Sequence, residues 1–211
     1  MSTISNRRAI FLDMDGTLYY QCPVRLCMAL RLALQCFWPG GLRTLRLILA
    51  ARKLYEQGLS ETERIATLAE RFHISLEAVQ SMIYMWMVEN PLPFVRLFRD
   101  RRLIADMERA KQHSIMLIVL SDYQVTEKLT ALGFRPDAAY SALELGCLKP
   151  CSDGLLQVLK NLELAPNDCL LIGDRMDKDG RLAENIGMDY VILPRHYCKR
   201  RLRYGMLGLR V

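Results

Sequence analysis

Four short apolar runs constrain this chain more than anything else in it: RAIFL at 8–12, IMLIVL at 115–120, DCLLI at 168–172 and DYVIL at 189–193, each stopping at a Gly, Asp, Ser or Pro. Runs that are apolar almost throughout, rather than at alternate positions, predict strands buried on both faces, as in a parallel sheet. Between them lie helical patterns at 101–112, 124–132, 153–163 and 179–186, with LGF, LEL and IGM as exits. Strand and helix in alternation predict an α/β fold with a doubly wound parallel sheet.

Residues 20–100 have another texture. They are rich in Leu, Arg and Met at helical spacing, contain no convincing strand, and break at WPGG (38–41), HIS (73–75) and NPLP (90–93). An all-α insertion is expected there, separating the first strand from the rest of its sheet. The 211 residues, 51% of them apolar, therefore divide into a discontinuous core (1–19 and 101–211) and an inserted helical cap (20–100). A basic tail at 195–211 reads as a flexible end of the core. There are no internal repeats or low-complexity tracts.

Several classes are disfavoured. The opening MSTISNRRAIF sets two arginines before a short apolar run that ends in acids, which is neither a signal nor a transit peptide, so the mature chain is expected to start here. The best uncharged apolar stretch, AVQSMIYMWMV at 78–88, falls well short of the roughly 18 to 20 residues that span a bilayer. Seven cysteines, an odd set without a CxxC pair, read as reduced thiols in a cytoplasmic protein. Cys147 and Cys151 in CLKPC are taken as small core or loop residues rather than metal ligands.

The acids of DMDGT come next. With RAIFL as a central strand, Asp13 and Asp15 emerge at its carboxyl end, where open α/β sheets gather ligands. Two close carboxylates repel unless a cation lies between them or one is protonated, so the pair implies a metal, a proton or both. Other predicted strand ends supply Ser121 and Asp122, Lys149, and Asp174, Asp177 and Asp179. A hydroxyl donor, an ammonium and further carboxylates are what a phosphoryl group and a hard divalent ion require.

In this order, Asp13 to Leu18, the Ser121 strand end, Lys149-Pro150 and Gly173-Asp174-Arg175 with Asp179 resemble the four motifs of the haloacid dehalogenase (HAD) superfamily. SALELGCLKP, followed by a helix and LLIGD, resembles its phosphatase branch with a helical (C1-type) cap. The resemblance implies a Rossmann-like core and a magnesium-dependent phosphatase. It implies Asp13 as nucleophile, forming an aspartyl-phosphate, and Asp15 as general acid and base. Magnesium would be held by Asp13, the main-chain carbonyl of Asp15, and Asp174. Ser121, Lys149 and Thr17 would bind phosphate, and Asp179 would orient Lys149 or a metal-bound water. Asp122 stands where many relatives carry asparagine, and Asp177 reads equally well as solvent-facing charge. A phosphosugar mutase would use the same carboxylate pair, and a HAD-like binding protein without turnover is the non-enzymatic alternative.

His73, His113 and His196 read as ordinary polar residues, MIYMWM at 82–87 as cap core, and Tyr19 or Tyr20 as facing the site. The expected substrate is a small-molecule phosphate ester. Between Asp15 and Glu56 no acid occurs, yet Arg25, Arg31, Arg43, Arg46, Arg52 and Lys53 do. The plain reading is a solvated basic face; the sharper ones are a polyanionic substrate or weak contact with an anionic membrane surface. Without a groove-reading motif or stacking platform, the basic balance does not indicate nucleic acid.

Overall fold

The computed structural model describes residues 7–57, 59–141, 144–195 and 199–200. The chain divides into two compact units, one made of Met1–Cys22 with Val95–Val211 and the other of Pro23–Phe94.

The first unit is built on five parallel strands in the order β3-β2-β1-β4-β5. They are β1 (Ala9–Leu12), β2 (Met116–Ser121), β3 (Ala138–Ser141), β4 (Cys169–Gly173) and β5 (Asp189–Ile192). β1 lies at the centre, with Phe11 in register with Ile118 of β2 and with Leu171 of β4. From β1 the chain moves out one way through β2 and β3, then crosses back to β4 and β5, so a topological switch falls beside β1.

One face of the sheet packs Phe11, Ile118, Leu120 and Leu171 against Leu155, Val158 and Leu182. These last come from α8 (Asp153–Asn161) and α9 (Arg181–Ile186). The alternate residues Ile10, Leu12, Leu117 and Val119 are equally buried. α6 (Arg101–Gln112) buries Leu103, Met107 and Ala110 and starts at Asp100, whose carboxylate accepts from the Leu103 N–H at 3.1 Å. α7 (Thr126–Leu132) joins β2 to β3 and ends at Gly133 in the left-handed region.

β3 was not predicted. Its sequence, AAYS, is short and weakly apolar, and only Ser141 is fully buried. An edge strand is half exposed, so it lacks the apolar signature that marked its neighbours.

Two further expectations are corrected. Cys147 and Cys151 form a disulfide, their Cα atoms 5.9 Å apart; the loop around Lys149 turns back within bridging range. The argument from seven reduced thiols therefore fails for this pair, while Cys22, Cys27, Cys36 and Cys169 are free. The basic tail is not wholly a loose end either. Arg200 is completely buried, donating to the carbonyls of Thr17 (2.9 Å), Gly16 and Pro194 and pairing with Asp100 at 3.1 Å. Residues 196–198 and 201–211 of that segment, His196 included, lie outside the described residues.

The second unit is all-helical: α1 (Gln21–Gln35, entering from the first unit), α2 (Gly41–Glu56), α3 (Glu61–Phe72), α4 (Leu76–Ile83) and the start of α5 (Leu92–Leu97), whose last three residues belong to the first unit. Its small core joins Leu47 and Ala51 of α2, Leu68 and Ala69 of α3, and Val79 of α4. Ser60 opens α3 with a reciprocal cap to Glu63, satisfying helix-start donors that would otherwise lack partners. His73 closes α3 in a left-handed conformation, and the Ser75 hydroxyl caps α4. α4 runs on into a wider π turn, Tyr84–Glu89. That widening rotates side chains off one stripe: Trp86 is buried, but Tyr84 and Met85 are exposed, so MIYMWM is only partly core. Among the described residues no helix is long and apolar enough to cross a membrane.

Candidate active site

β1 delivers Asp13 to the switch point. The ladder continues one residue past the strand, the Asp13 N–H donating to Ile172 O at 2.9 Å, which fixes the direction in which the carboxylate leaves the sheet. β2 ends at Ser121 and β4 at Gly173, so Asp122 and Asp174 occupy equivalent positions on the flanking strands. The loop after β3 brings in Lys149, and the π turn Met176–Gly180 brings in Asp179.

Lys149, only 5% exposed, organises the cluster. Its ammonium donates to Asp13 Oδ1 at 2.5 Å, Asp179 Oδ1 at 2.7 Å and Leu120 O at 3.1 Å. Its own N–H donates to Asp122 Oδ1 at 3.1 Å. Burial alone would favour a neutral amine, but Asp13, Asp179 and Asp122 outweigh it and hold the lysine charged. The Asp13 carboxyl feels the same burial and is pushed up to about 8, Lys149 drawing it down and Asp179 driving it up. A carboxyl so raised takes up either a proton or a nearby cation.

Asp13, Asp174 and Asp179 each offer a carboxylate oxygen within 4.8 Å of the others. Such a set of hard oxygen donors fits a divalent ion of the magnesium or calcium type. Asp174 is also raised by burial, against the pull of Arg195, whose Nε donates to Asp174 Oδ2 at 2.9 Å. Gly16, at φ +99, backs onto this carboxylate: a Cβ there would lie 2.4 Å from Asp174 Oδ2. Gly173 is equally tight, since a Cβ would meet Asp179 at 2.4 Å.

Asp15 has its own cation. Its carboxylate accepts from Lys128 of α7 at 2.6 Å and from the Tyr19 hydroxyl. Burial would raise it, yet Lys128, helped by these hydrogen bonds, holds it below the usual carboxylate range. The two acids of DMD thus sit under different ammonium groups, with opposite shifts, and do not share a cation between them.

The remaining sequence candidates fall as follows. Ser121 is fully buried, its hydroxyl accepting from the Tyr123 N–H at 3.2 Å. Thr17, also buried, donates to Asp13 Oδ2 at 3.1 Å, so its hydroxyl supports that carboxylate. Asp122 pairs with Lys178. Asp177 is exposed and pairs only with its neighbour Arg175 among the contacts described. Tyr20 reaches away to Asp100 at 3.0 Å. Lys128 and Arg195 were missed. Arg195 closes a strand run just as the acids do, and that position was its available signal; Lys128, inside TEKLTAL, looks like any exposed helical lysine.

A family model described as HAD-hydrolase-like matches residues 147–196, the segment carrying Lys149, Asp174 and Asp179. Solved structures extend the likeness along the chain at the level of fold. The 2-haloacid dehalogenase of Pseudomonas syringae pv. tomato DC3000 is 15% identical, with a TM-score of 0.66 over 89% of this chain and 86% of that one. The putative HAD-hydrolase YfnB of Bacillus subtilis, solved bound to magnesium, is 14% identical, with a TM-score of 0.60 over 96% and 99%. A putative β-phosphoglucomutase of Thermotoga maritima is 20% identical, with a TM-score of 0.57 over 88% and 85%. No curated protein matches the chain. The fold is that of the haloacid dehalogenase superfamily.

Proposed function

We propose that this protein is a magnesium-dependent phosphatase that hydrolyses a small phosphorylated metabolite through an aspartyl-phosphate on Asp13. One observation carries the reading: Asp13, Lys149, Asp174 and Asp179 form a single buried cluster at the ends of the central strands, with Asp15 two residues on under a separate cation.

A carboxylate oxygen of Asp13 attacks phosphorus in line, forming the acyl phosphate as the ester P–O bond breaks. Asp15 gives its proton to the departing alkoxide, then takes one from the water that attacks the acyl phosphate, returning Asp13 as carboxylate and releasing phosphate. Lys128 favours the ionised form of Asp15, the form that activates water; the negative charge of a bound phosphate ester opposes Lys128 and favours the protonated form that the first step uses. Lys149 offsets the charge that Asp13 and the phosphoryl group bring together, and Asp179 keeps that ammonium in place. Ser121 and adjacent main-chain amides receive the phosphoryl oxygens. Asp13, Asp174 and the Asp15 carbonyl would hold magnesium, which when bound supplies positive charge to the phosphoryl oxygens. Selectivity is assigned to the helical unit as a cap.

Likeness to a dehalogenase does not redirect this reading. A halide leaves without a proton, whereas Asp15 with Lys128 and Tyr19 forms proton-handling machinery that suits an oxygen leaving group. The likeness to a β-phosphoglucomutase favours a second reading, in which the aspartyl-phosphate is passed to a sugar hydroxyl instead of water. A panel of phosphate esters assayed for free phosphate and for isomerised sugar phosphate separates the two. Phosphate release by wild type but not by Asp13→Asn or Asp15→Asn supports the phosphatase. Isomer without phosphate supports the mutase, and equal phosphate release by all three proteins, or neither phosphate nor isomer from any ester, removes the enzyme claim.

A further inference from the structure

α1 is fifteen residues long and buries only Val24. Leu26, Leu30 and Leu34, spaced by four and so on one face, are all exposed. At the turn into α2, Phe37 is 86% and Trp38 71% exposed. On α2 itself Leu42 and Leu49 stand out from the surface. Scattered exposed leucines need no explanation, but this many large apolar side chains left exposed on two consecutive helices and their turn is a concentration of the kind that marks an interaction site.

The charges of the same segment are one-sided. No acid occurs between Asp15 and Glu56, and Arg25, Arg31, Arg43, Arg46, Arg52 and Lys53 are all exposed. At about 100° per residue Arg25 and Arg31 lie roughly 140° and 100° round α1 from the middle of the leucine stripe, one to each side. On α2, Leu42, Arg46, Leu49 and Lys53 follow one another down a single face, at intervals of four, three and four. On α2 Arg46 and Lys53 are thus interleaved with the exposed leucines.

We infer that the exposed face of α1, α2 and the turn between them docks on an anionic lipid bilayer surface, with Phe37 and Trp38 entering first. Leucines and aromatics enter the acyl boundary while arginine and lysine stems lie along it and carry their charges to the headgroups. Tryptophan favours that boundary. A second copy of this chain fits poorly, since it would set the same six cations against themselves. A bilayer carrying negative charge satisfies both features at once.

The chain has two tryptophans, and Trp86 is already buried, so Trp38 reports insertion. The full chain is mixed with vesicles of neutral phosphatidylcholine alone or with about one-third phosphatidylglycerol, at low and at high salt. The expected result is co-sedimentation and a blue shift of tryptophan emission with the anionic vesicles. Binding should be at least about tenfold weaker to neutral vesicles, and weaker again as salt rises. Leu34→Glu, Trp38→Ser and the double change Arg31→Gln with Arg46→Gln should each lose binding while melting like wild type. Absence of binding to anionic vesicles, equal binding to both vesicle types, or unchanged binding by all three well-folded variants overturns the inference. So does a stable dimer whose Trp38 emission is already shifted without lipid.

Discussion

The strand-end cluster and the outer face of α1 and α2 are both rich in charge, and they use it in opposite ways. Around Asp13 every carboxylate meets a cation and is itself withdrawn from water: Lys149 serves Asp13 and Asp179, Lys128 serves Asp15, and the more exposed Arg195 serves Asp174. On α1 and α2 six cations stand against one acid, the terminal Glu56 of α2, and are exposed among exposed leucines. A buried network must satisfy itself, because an unpaired charge in low dielectric is costly. A solvent-facing one is stabilised by water and stays accessible to an outside surface. The first arrangement suits a small ion or group bound inside the protein, and the second suits an extended surface outside it.

The sharpest way to break this contrast is at the nucleophile. Asp13→Asn should lower phosphate release at least about a thousandfold, and Asp15→Asn by about 10² to 10⁴, both measured against the best ester of the panel. A residual rate near that of wild type would mean the cluster is structural only.

Lys149→Met tests whether the network is as interdependent as its geometry indicates. Leaving Asp13 and Asp179 buried without their shared ammonium should cost about 3 to 5 kcal/mol in denaturant unfolding, besides activity. A loss confined to activity would show that the acids find other partners.

Within the helical unit the contrast is between inside and outside. Leu68→Ala, in the core of that unit, should destabilise by about 2 to 5 kcal/mol. Leu34→Ala, on the exposed face, should stay within about 0.5 kcal/mol of wild type. Comparable losses would mean that α1 is packed in solution.

The smallest effect belongs to Asp137, at the start of β3. Its partial burial would raise the carboxyl, but hydrogen bonds from the Leu117 N–H and Lys111 win, and it is held below the ordinary value. A depressed carboxyl adds stability above its unfolded-state value, about 3.9, and loses it as pH falls through the lower folded one. Asp137→Asn should therefore be slightly less stable than wild type near neutrality, with the difference closing below about pH 4. A gap that widened in acid would reverse the assignment.

The four apolar runs fall within about a residue of β1, β2, β4 and β5, because a strand covered on both faces must be apolar along its length. Asp13, Lys149, Asp174 and Asp179 could be named in advance because chemical type and position at a strand end are both local properties. β3 could not, being an edge strand with little to bury. The Cys147–Cys151 bond was equally hidden, since spacing alone does not say how a loop turns.

By itself, then, the order of residues determined the alternation of strand and helix, the all-helical insertion and the acids available at the sheet edge, through periodicity and residue chemistry. Tertiary structure alone decided which acids Lys128, Arg195 and Arg200 meet. Lys128 and Asp15 are 113 residues apart, Arg195 and Asp174 belong to neighbouring strand ends, and Arg200 reaches the backbone of Gly16 from the far end of the chain. Those pairings follow from strand order, which places β4 and β5 on one side of β1 and β2 and β3 on the other. Local sequence reports how a segment lies on the sheet, but not which distant segment lies beside it.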